Sequence, residues 1–250
     1  MQYGICPLSV VPVRLIADDS SELITQLLYG DHYKIIDNRK FWSKIRNAYD
    51  GCEGWISNQQ VHLISEEQYT SIQQSLKPKF SSDLVSFVAT QENILIPLVL
   101  GSSIADANLL DHKYEGNFID HTIDKNELIH IASLYLNAPF LCGGKTPFGI
   151  DCSGFTQMVY KITGHNLLRN ASQQATQGEP LSFIEESEPG DLAFFDNNDG
   201  VIDHVGIIMQ NNYIIHSSGR VRIDRIDHTG IFNVELKSYT HKLRVIKKII

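Results

Sequence analysis

The sequence has no apolar run approaching the ~20 residues that cross a bilayer as a helix. It also lacks low-complexity tracts and blocks of like charge. Those absences exclude a helical membrane span and a charged interaction tail. Basic residues are in deficit: 21 Lys and Arg stand against 29 Asp and Glu, a formal net charge of −8 over 250 residues. A nucleic-acid partner would require a basic stripe, and an anionic membrane surface has nothing to attract, so neither is expected as a partner. Cysteine is sparse. Cys6, Cys52, Cys142 and Cys152 show neither CxxC spacing nor the density of a disulfide framework, so free thiols are expected. Cys142, ten residues before Cys152, could approach it in the folded chain, but nothing in the sequence requires a redox pair. The segment Met1-Gln2-Tyr3-Gly4-Ile5-Cys6-Pro7 lacks the basic and apolar regions of a signal peptide. With Met1 as the natural start the expected location is the cytoplasm, and it becomes the periplasm or envelope if a signal sequence has been removed. What is present, 42% hydrophobic and 20% charged residues, suits a soluble globular protein of one large domain or a few small ones.

The first part of the chain reads as short strands. Val10 to Ile16, Leu23 to Leu28, Tyr33 to Ile36, Phe41 to Ile45 and Gly54 to Ile56 are apolar-rich runs, separated by the turn signals Gly30-Asp31, Asp37-Asn38 and Asp50-Gly51. Five such runs in some fifty residues predict a small closed barrel. Ser21 to Asp31, Trp42 to Arg46 and Asp50 to Ile56, in that order, resemble the bacterial SH3-like (SH3b) domains. Ser65-Glu66-Glu67-Gln68 predicts a capping box and a helix to about Leu76, ended by Lys77-Pro78. Strand-like runs return at Leu84 to Ala89 and Ile94 to Leu100. The predicted division is a barrel over residues 1–64, a linker helix over 65–79, a second SH3b-like region over 80–122 and a different domain over 123–250.

In that last region Asp124, with Glu127, Leu128, Ile131, Ala132 and Tyr135, predicts a helix ending near Asn137-Ala138-Pro139. A Gly-rich turn, Gly143 to Pro147, precedes Cys152. Phe155, Met158, Val159 and Ile162 then follow at helical spacing, with Gly164 as the stop. Cys152 therefore falls at a helix N-terminus, where unpaired N–H groups and the macrodipole favour a thiolate. Asp191 to Phe195, His204 to Met209, Tyr213 to Ser217 and Lys242 to Ile250 read as strands. Helices followed by an antiparallel sheet make the fold class α+β.

A thiol nucleophile needs a base, and a base needs an orienting group. Of ten histidines, His204 and His216 stand out at strand ends downstream of Cys152. Pro139 to Gly144, Asp151 to Phe155, Pro189 to Phe195, His204 to Ile207 and Ile215 to Ser217 resemble the successive motifs of the NlpC/P60 cysteine peptidases. The resemblance implies a papain-like half with Cys152 as nucleophile, His204 as base and His216 as the residue that orients it. A strand-parity test follows. A two-residue loop at Asn211-Asn212 would put the two histidines on opposite faces, whereas an odd loop such as Gln210 to Asn212 sets His204 opposite Ser218 and His216 on the same face.

With SH3b-like regions in front, the resemblance is to peptidases that cut γ-D-glutamyl–diamino acid bonds of murein peptides with a free N-terminal L-Ala. It implies Asp151 as the ammonium ligand, Glu22 as a contribution from the barrel, and Ser153 and Ser172 lining the site. Trp55 reads as barrel core. The backbone N–H of Cys152 is one oxyanion donor. Phe140 stands where relatives commonly carry a tyrosine hydroxyl, Cys142 where they often carry tryptophan, and Cys52 where they often carry tyrosine. These departures keep two alternatives open: a weakened enzyme that binds cell-wall peptide without cutting it, or a Cys–His amidase or acyltransferase on another substrate. No cofactor and no metal is called for.

Overall fold

The computed structural model describes residues 1–75, 78–121 and 124–250, the side chain of Asn126 aside. Leu76 and Lys77, where the linker helix was expected to end, and Thr122 and Ile123, at the expected domain boundary, lie outside them. The chain divides into two compact units, Met1–Thr122 with Cys142–Thr146, and Ile123–Leu141 with Pro147–Ile250. Among the described residues no helix is long and apolar enough to cross a membrane.

The first unit begins with strands β1 (Gln2–Ile5), β2 (Val10–Arg14), β3 (Leu23–Leu28), β4 (His32–Asn38), β5 (Trp42–Asn47), β6 (Glu53–Ser57) and β7 (Leu63–Ile64). They form one antiparallel sheet in the order β3-β2-β6-β5-β4-β1-β7. Alternate positions point inward, so Val11, Val13, Leu27, Tyr33, Ile35, Ile45 and Ile56 meet in a buried core with Cys6. Trp55 is buried, as expected, beneath the Arg39 guanidinium 4.2 Å from its ring. Asp37-Asn38 is not a turn. β4 runs through it, pairing Asp37 with Lys44, and the reversal falls at Arg39 to Phe41. Helix α1 (Glu66–Gln74) has the expected capping box between Ser65 and Gln68. β8 (Phe80–Ser81) pairs with β12 (Phe118–Ile119), and β9 (Val85–Ala89), β10 (Leu95–Val99) and β11 (Lys113–Tyr114) form a three-stranded sheet. Val88, Leu98, Ile104, Ala107 and Leu110 of this region share one core with Ile5 and Tyr29.

The Gly-rich turn belongs to this unit, with its short strand β13 (Lys145–Thr146). A Cβ on Gly143, at φ +77°, would lie 2.2 Å from the Leu23 carbonyl oxygen. The Lys145 N–H donates to Gln26 Oε1 at 2.7 Å, and its fully buried ammonium lies 4.0 Å from the Asp31 carboxylate. Gly143 thus reflects close packing on β3.

The second unit contains helix α2 (Lys125–Ser133), strand β14 (Gly149–Ile150), helix α3 (Cys152–Ile162) and helix α4 (Ala171–Gln174). Strands β15 (Glu179–Leu181), β16 (Leu192–Asp196), β17 (Ile202–Met209), β18 (Tyr213–Ser218), β19 (Arg220–Ile226), β20 (Gly230–Asn233) and β21 (Ser238–Lys248) follow. Their order is β15-β21-β16-β17-β18-β19-β20, and β20 also pairs with β21, which closes six strands into a barrel. The strands β19 and β20 were not anticipated, and β21 begins four residues earlier than expected. Inside the barrel, Ala193, Phe195, Ile208, Ile214, Ile226, Ile231 and Ile246 form the core. Helix α3 packs outside against β17 and β18 and is buried along its whole length, which explains why its polar-looking face carries Thr156, Gln157 and Lys161 as buried residues. Gly164, at φ +88°, follows its C-terminus as expected.

Barrel closure leaves no room at Gly230, where φ is +148° and a Cβ would lie 1.9 Å from the His241 carbonyl oxygen. Gly230→Ala is expected to cost about 2 kcal/mol or more, through strain and clash together. Gly200→Ala, at φ +75° with open space around it, should cost only about 1 kcal/mol. Thermal denaturation of the two variants side by side checks the difference.

Candidate active site

Cys152 is the first residue of α3, and Asp151 is its N-cap, in extended conformation, accepting from the Gly154 N–H at 2.6 Å. The Cys152 thiol lies against the backbone on either side of His204. It donates to the Asp203 carbonyl oxygen at 3.7 Å and is hydrogen-bonded by the Val205 backbone. The expectation of a standing thiolate is not met. Burial, followed by the Asp151 charge, pushes the thiol up to about 12, outweighing the Val205 and Ser153 backbone groups and the Arg169 charge. The magnitudes agree with that order: a helix terminus contributes at most ~2 kcal/mol, roughly 1.5 pKa units, whereas full burial moves a group by ~3–5.

Register places the histidines. Met209 opposes Tyr213 across a loop of Gln210–Asn212, so His216 lies opposite Gly206 and on the same face as His204. This is the odd loop expected from the sequence. Gly206 makes the space: a Cβ there would come within 2.9 Å of the His216 Cβ. On β19, Asp224 opposes Ile214 and so shares this inward face. The side chains form a line. His204 Nε2 lies 2.9 Å from His216 Nδ1, His216 Nε2 lies 3.1 Å from Asp224 Oδ2, and Arg222 holds both oxygens of Asp224 at 2.7 and 3.1 Å. Burial acts to raise the Asp224 carboxyl, but hydrogen bonds from His216 and Arg222 hold it below its ordinary value. An ionised carboxylate only accepts, so His216 Nε2 carries a proton, its Nδ1 accepts, and His204 donates through Nε2–H. Hydrogen-bond complementarity therefore leaves Nδ1 as the basic atom of His204. Burial, with His216 and His241 adding to it, holds His204 well below 6.5, so its ring is neutral at neutral pH.

A third imidazole, His241 of β21, stacks on His204 with ring centroids 4.0 Å apart at 25°. One ligand atom from each of His204, His216 and His241 falls within 4.8 Å of the others. A zinc ion bonded to all three at ~2.0–2.1 Å would need these atoms about 3.3 Å apart, with lone pairs converging. Near-parallel stacked rings direct their lone pairs side by side, so this cluster is built for hydrogen bonding and stacking.

Around Cys152 the structure brings together Asp151 and Ser153 and adds Arg169. Arg169 Nη2 is 2.6 Å from Asp151 Oδ2, and its Nη1 is 3.0 Å from both Asp151 Oδ1 and Ser153 Oγ. Arg169 is almost wholly buried. Gln174 completes the floor, donating to the Ser153 carbonyl at 2.9 Å and accepting from Thr156 Oγ1 at 2.7 Å. Ser172 is exposed on α4. Phe140 is half-exposed, bridged in parallel to Ile150, and brings no hydroxyl. Glu22, exposed before β3, and Cys142 belong to the first unit. The sequence reading missed Arg169, Asp224 and His241.

A cysteine at a helix start, its thiol against the backbone beside His204, and a second imidazole bonded to His204 are the residues the motifs singled out. Residues 137–239 match the NlpC/P60 family, and residues 16–61 match the bacterial dipeptidyl-peptidase SH3 domain. The second unit is an NlpC/P60 cysteine peptidase domain. The chain is 26% identical over 234 residues to a γ-D-glutamyl-L-lysine dipeptidyl-peptidase of Bacillus cereus, covering 82% of this chain and 70% of that protein. It is 25% identical over 244 residues to dipeptidyl-peptidase 6 of Lysinibacillus sphaericus, covering 84% and 86%. The fold matches the crystal structure of an NlpC/P60 family protein from Bacillus cereus with a TM-score of 0.81 at 17% identity, over 99% of both chains.

For this NlpC/P60 site two measurements follow from the protonation states. Alkylation of Cys152 by iodoacetamide, read at its own peptide by mass spectrometry, should accelerate about tenfold per pH unit from pH 7 to 9. A flat profile would reveal a standing thiolate. These histidines also link folding to pH: the folded state holds the buried His204 and His216 and the half-buried His241 below 6.5, His241 at about 4, so the unfolded chain binds more protons. Stability should therefore be full above 6.5 and decline as pH falls from there towards 4, which thermal melts across that window will show.

Proposed function

We propose that the protein hydrolyses the γ-D-glutamyl–diamino acid bond of murein peptides, preferring short peptides with a free N-terminal L-Ala, in the recycling of cell-wall peptide. The observation that carries this reading is the order of the parts. A dipeptidyl-peptidase SH3 domain precedes an NlpC/P60 domain with a cysteine at a helix start and a His–His–Asp line, and the likeness to a relative named for this activity runs over more than four-fifths of the chain.

In the proposed reaction the Cys152 sulfur attacks the amide carbonyl as its proton passes to His204 Nδ1, so thiolate forms with the bond rather than before it. The resulting imidazolium is stabilised through Nε2–H, His216 and the Asp224 carboxylate. The oxyanion receives the backbone N–H of Cys152. His204 then protonates the leaving amine, and water activated by Nδ1 hydrolyses the thioester. Asp151 is the proposed acceptor for the L-Ala ammonium. Because Arg169 already balances its charge, Asp151 offers lone pairs more than net attraction, and Glu22 is proposed as the second carboxylate. Ser153 and Ser172 are proposed as further peptide contacts.

A second reading, peptide binding without cleavage, draws on Phe140, which supplies no hydroxyl to the oxyanion. Incubation with L-Ala-γ-D-Glu-L-Lys separates the two. Release of L-Ala-γ-D-Glu that disappears in Cys152→Ala supports hydrolysis, and saturable binding without release supports the alternative. Asp224→Asn, which removes the fixed acceptor and so the tautomer, should lower kcat by about 10²-fold or more with a smaller effect on KM. Equal activity in Asp224→Asn would remove Asp224 from the line.

A further inference from the structure

His204 sits at the polar end of the barrel interior, and each of its sides has a distinct neighbour. Its Nε2 is taken by His216, whose ring stands at 88° to it. Phe195 of β16 lies at 5.7 Å, tilted by 49°. The ring of His241 covers one face at 4.0 Å. His241 arises from β21 opposite Ile231, has Nδ1 2.9 Å from Thr240 Oγ1, and also reaches Phe195 at 6.0 Å and His216 at 5.6 Å. It takes no part in the proton transfers described above.

We infer that His241 is a positioning residue for the base: its ring covers one face of His204, fixes the plane in which Nδ1 addresses the thiol, and keeps water from that face. This rests on His204 being the base. Imidazole is a small ring on a rotatable stem, and one hydrogen bond at Nε2 leaves it free to swing about that bond. A stacked neighbour removes the swing. The cover also has an electrostatic effect. Water reaching His204 would favour its protonated form, so the covered ring stays an acceptor to lower pH than an exposed one. A neutral aromatic face is nonetheless compatible with the imidazolium formed during turnover, since a cation over a ring face is attracted to it. A charged His241 would repel that cation. Burial, with His216 adding to it, keeps His241 neutral down to about 4.

The other charged and titratable groups around the pair are accounted for. His216 comes from β18, and Asp224 with Arg222 from β19, Arg222 being paired in turn with Glu235 at 3.0 Å. Asp196, next to Phe195 on β16, lies 3.8 Å from Arg244. Cys152 faces the strand from the start of α3, and Asp151, its N-cap, is paired with Arg169 from the segment before α4. None of these stacks on an imidazole face.

The test compares wild type, His241→Phe and His241→Ala by two readouts. The first is the pH profile of kcat/KM on L-Ala-γ-D-Glu-L-Lys, and the second is the NMR titration of the His204 imidazole, which needs no substrate. With the cover removed, His241→Ala should move the acid limb and the His204 titration upward towards 6.5, by about one pH unit, with kcat reduced several-fold. His241→Phe keeps an aromatic cover and should restore both to within a few tenths of a unit. An alanine variant that loses thermal stability but titrates like wild type would make His241 a packing residue and overturn the inference. A phenylalanine variant that shifts as far as alanine would overturn it as well. If the tripeptide is not cleaved but the NMR shift appears, the substrate assignment fails while the role of His241 stands.

Discussion

The hydrogen-bonded line from Asp224 through His216 to His204 depends on one constraint: a carboxylate can only accept. Once Arg222 fixes Asp224 in its ionised form, every proton along the line has a determined place, and only Nδ1 of His204 remains basic. The rest of the second unit supplies the conditions for that determination. Register across β17, β18 and β19 puts the three side chains on one face, Gly206 gives His216 its space, and the closed barrel keeps them dry. A sheet of the same strands left open would wet one side of this line, and water could then donate or accept at any of its atoms.

Dryness has the opposite effect on Cys152. Burial that keeps imidazoles neutral also keeps a thiol protonated, because both changes avoid an uncompensated charge in a poor solvent. The site is therefore uncharged at Cys152 and His204, with the compensated pairs Asp151–Arg169 and Asp224–Arg222 beside it. In both pairs the carboxylate is balanced by an arginine whose two contacts fix orientation as well as charge.

Much of this was legible in the sequence, and the gaps have a pattern. Helices α1 and α3, the capping box of the first and the Gly164 stop of the second, the strands β16, β17 and β18, and the loop parity that aligns His204 with His216 followed from local periodicity and turn chemistry. β19 did not. Its segment Arg220-Val221-Arg222-Ile223-Asp224-Arg225-Ile226 carries four charges in seven residues, and its inward positions are Arg222, Asp224 and Ile226. Periodicity identifies a buried face by its apolar residues, so a strand whose buried face serves chemistry is the one it overlooks. The start of β21 was lost for the same reason, since Ser238, Tyr239, Thr240 and His241 carry no apolar alternation, and His241 was lost with it. Arg169 was not singled out because its partner Asp151 lies eighteen residues earlier and meets it only through the fold.

The five residues Cys142–Thr146 bear on how this architecture can be taken apart or recombined. They are bracketed in sequence by the helix and strand of one unit, yet they are held by Leu23, Gln26 and Asp31 of the other. The division into units is thus discontinuous along the polypeptide, and a single cut near residue 122 would strand a buried ammonium on a loop deprived of its carboxylate. An exchange of barrels between related chains would have to carry this loop with it, so barrel and loop are expected to be inherited as a matched pair.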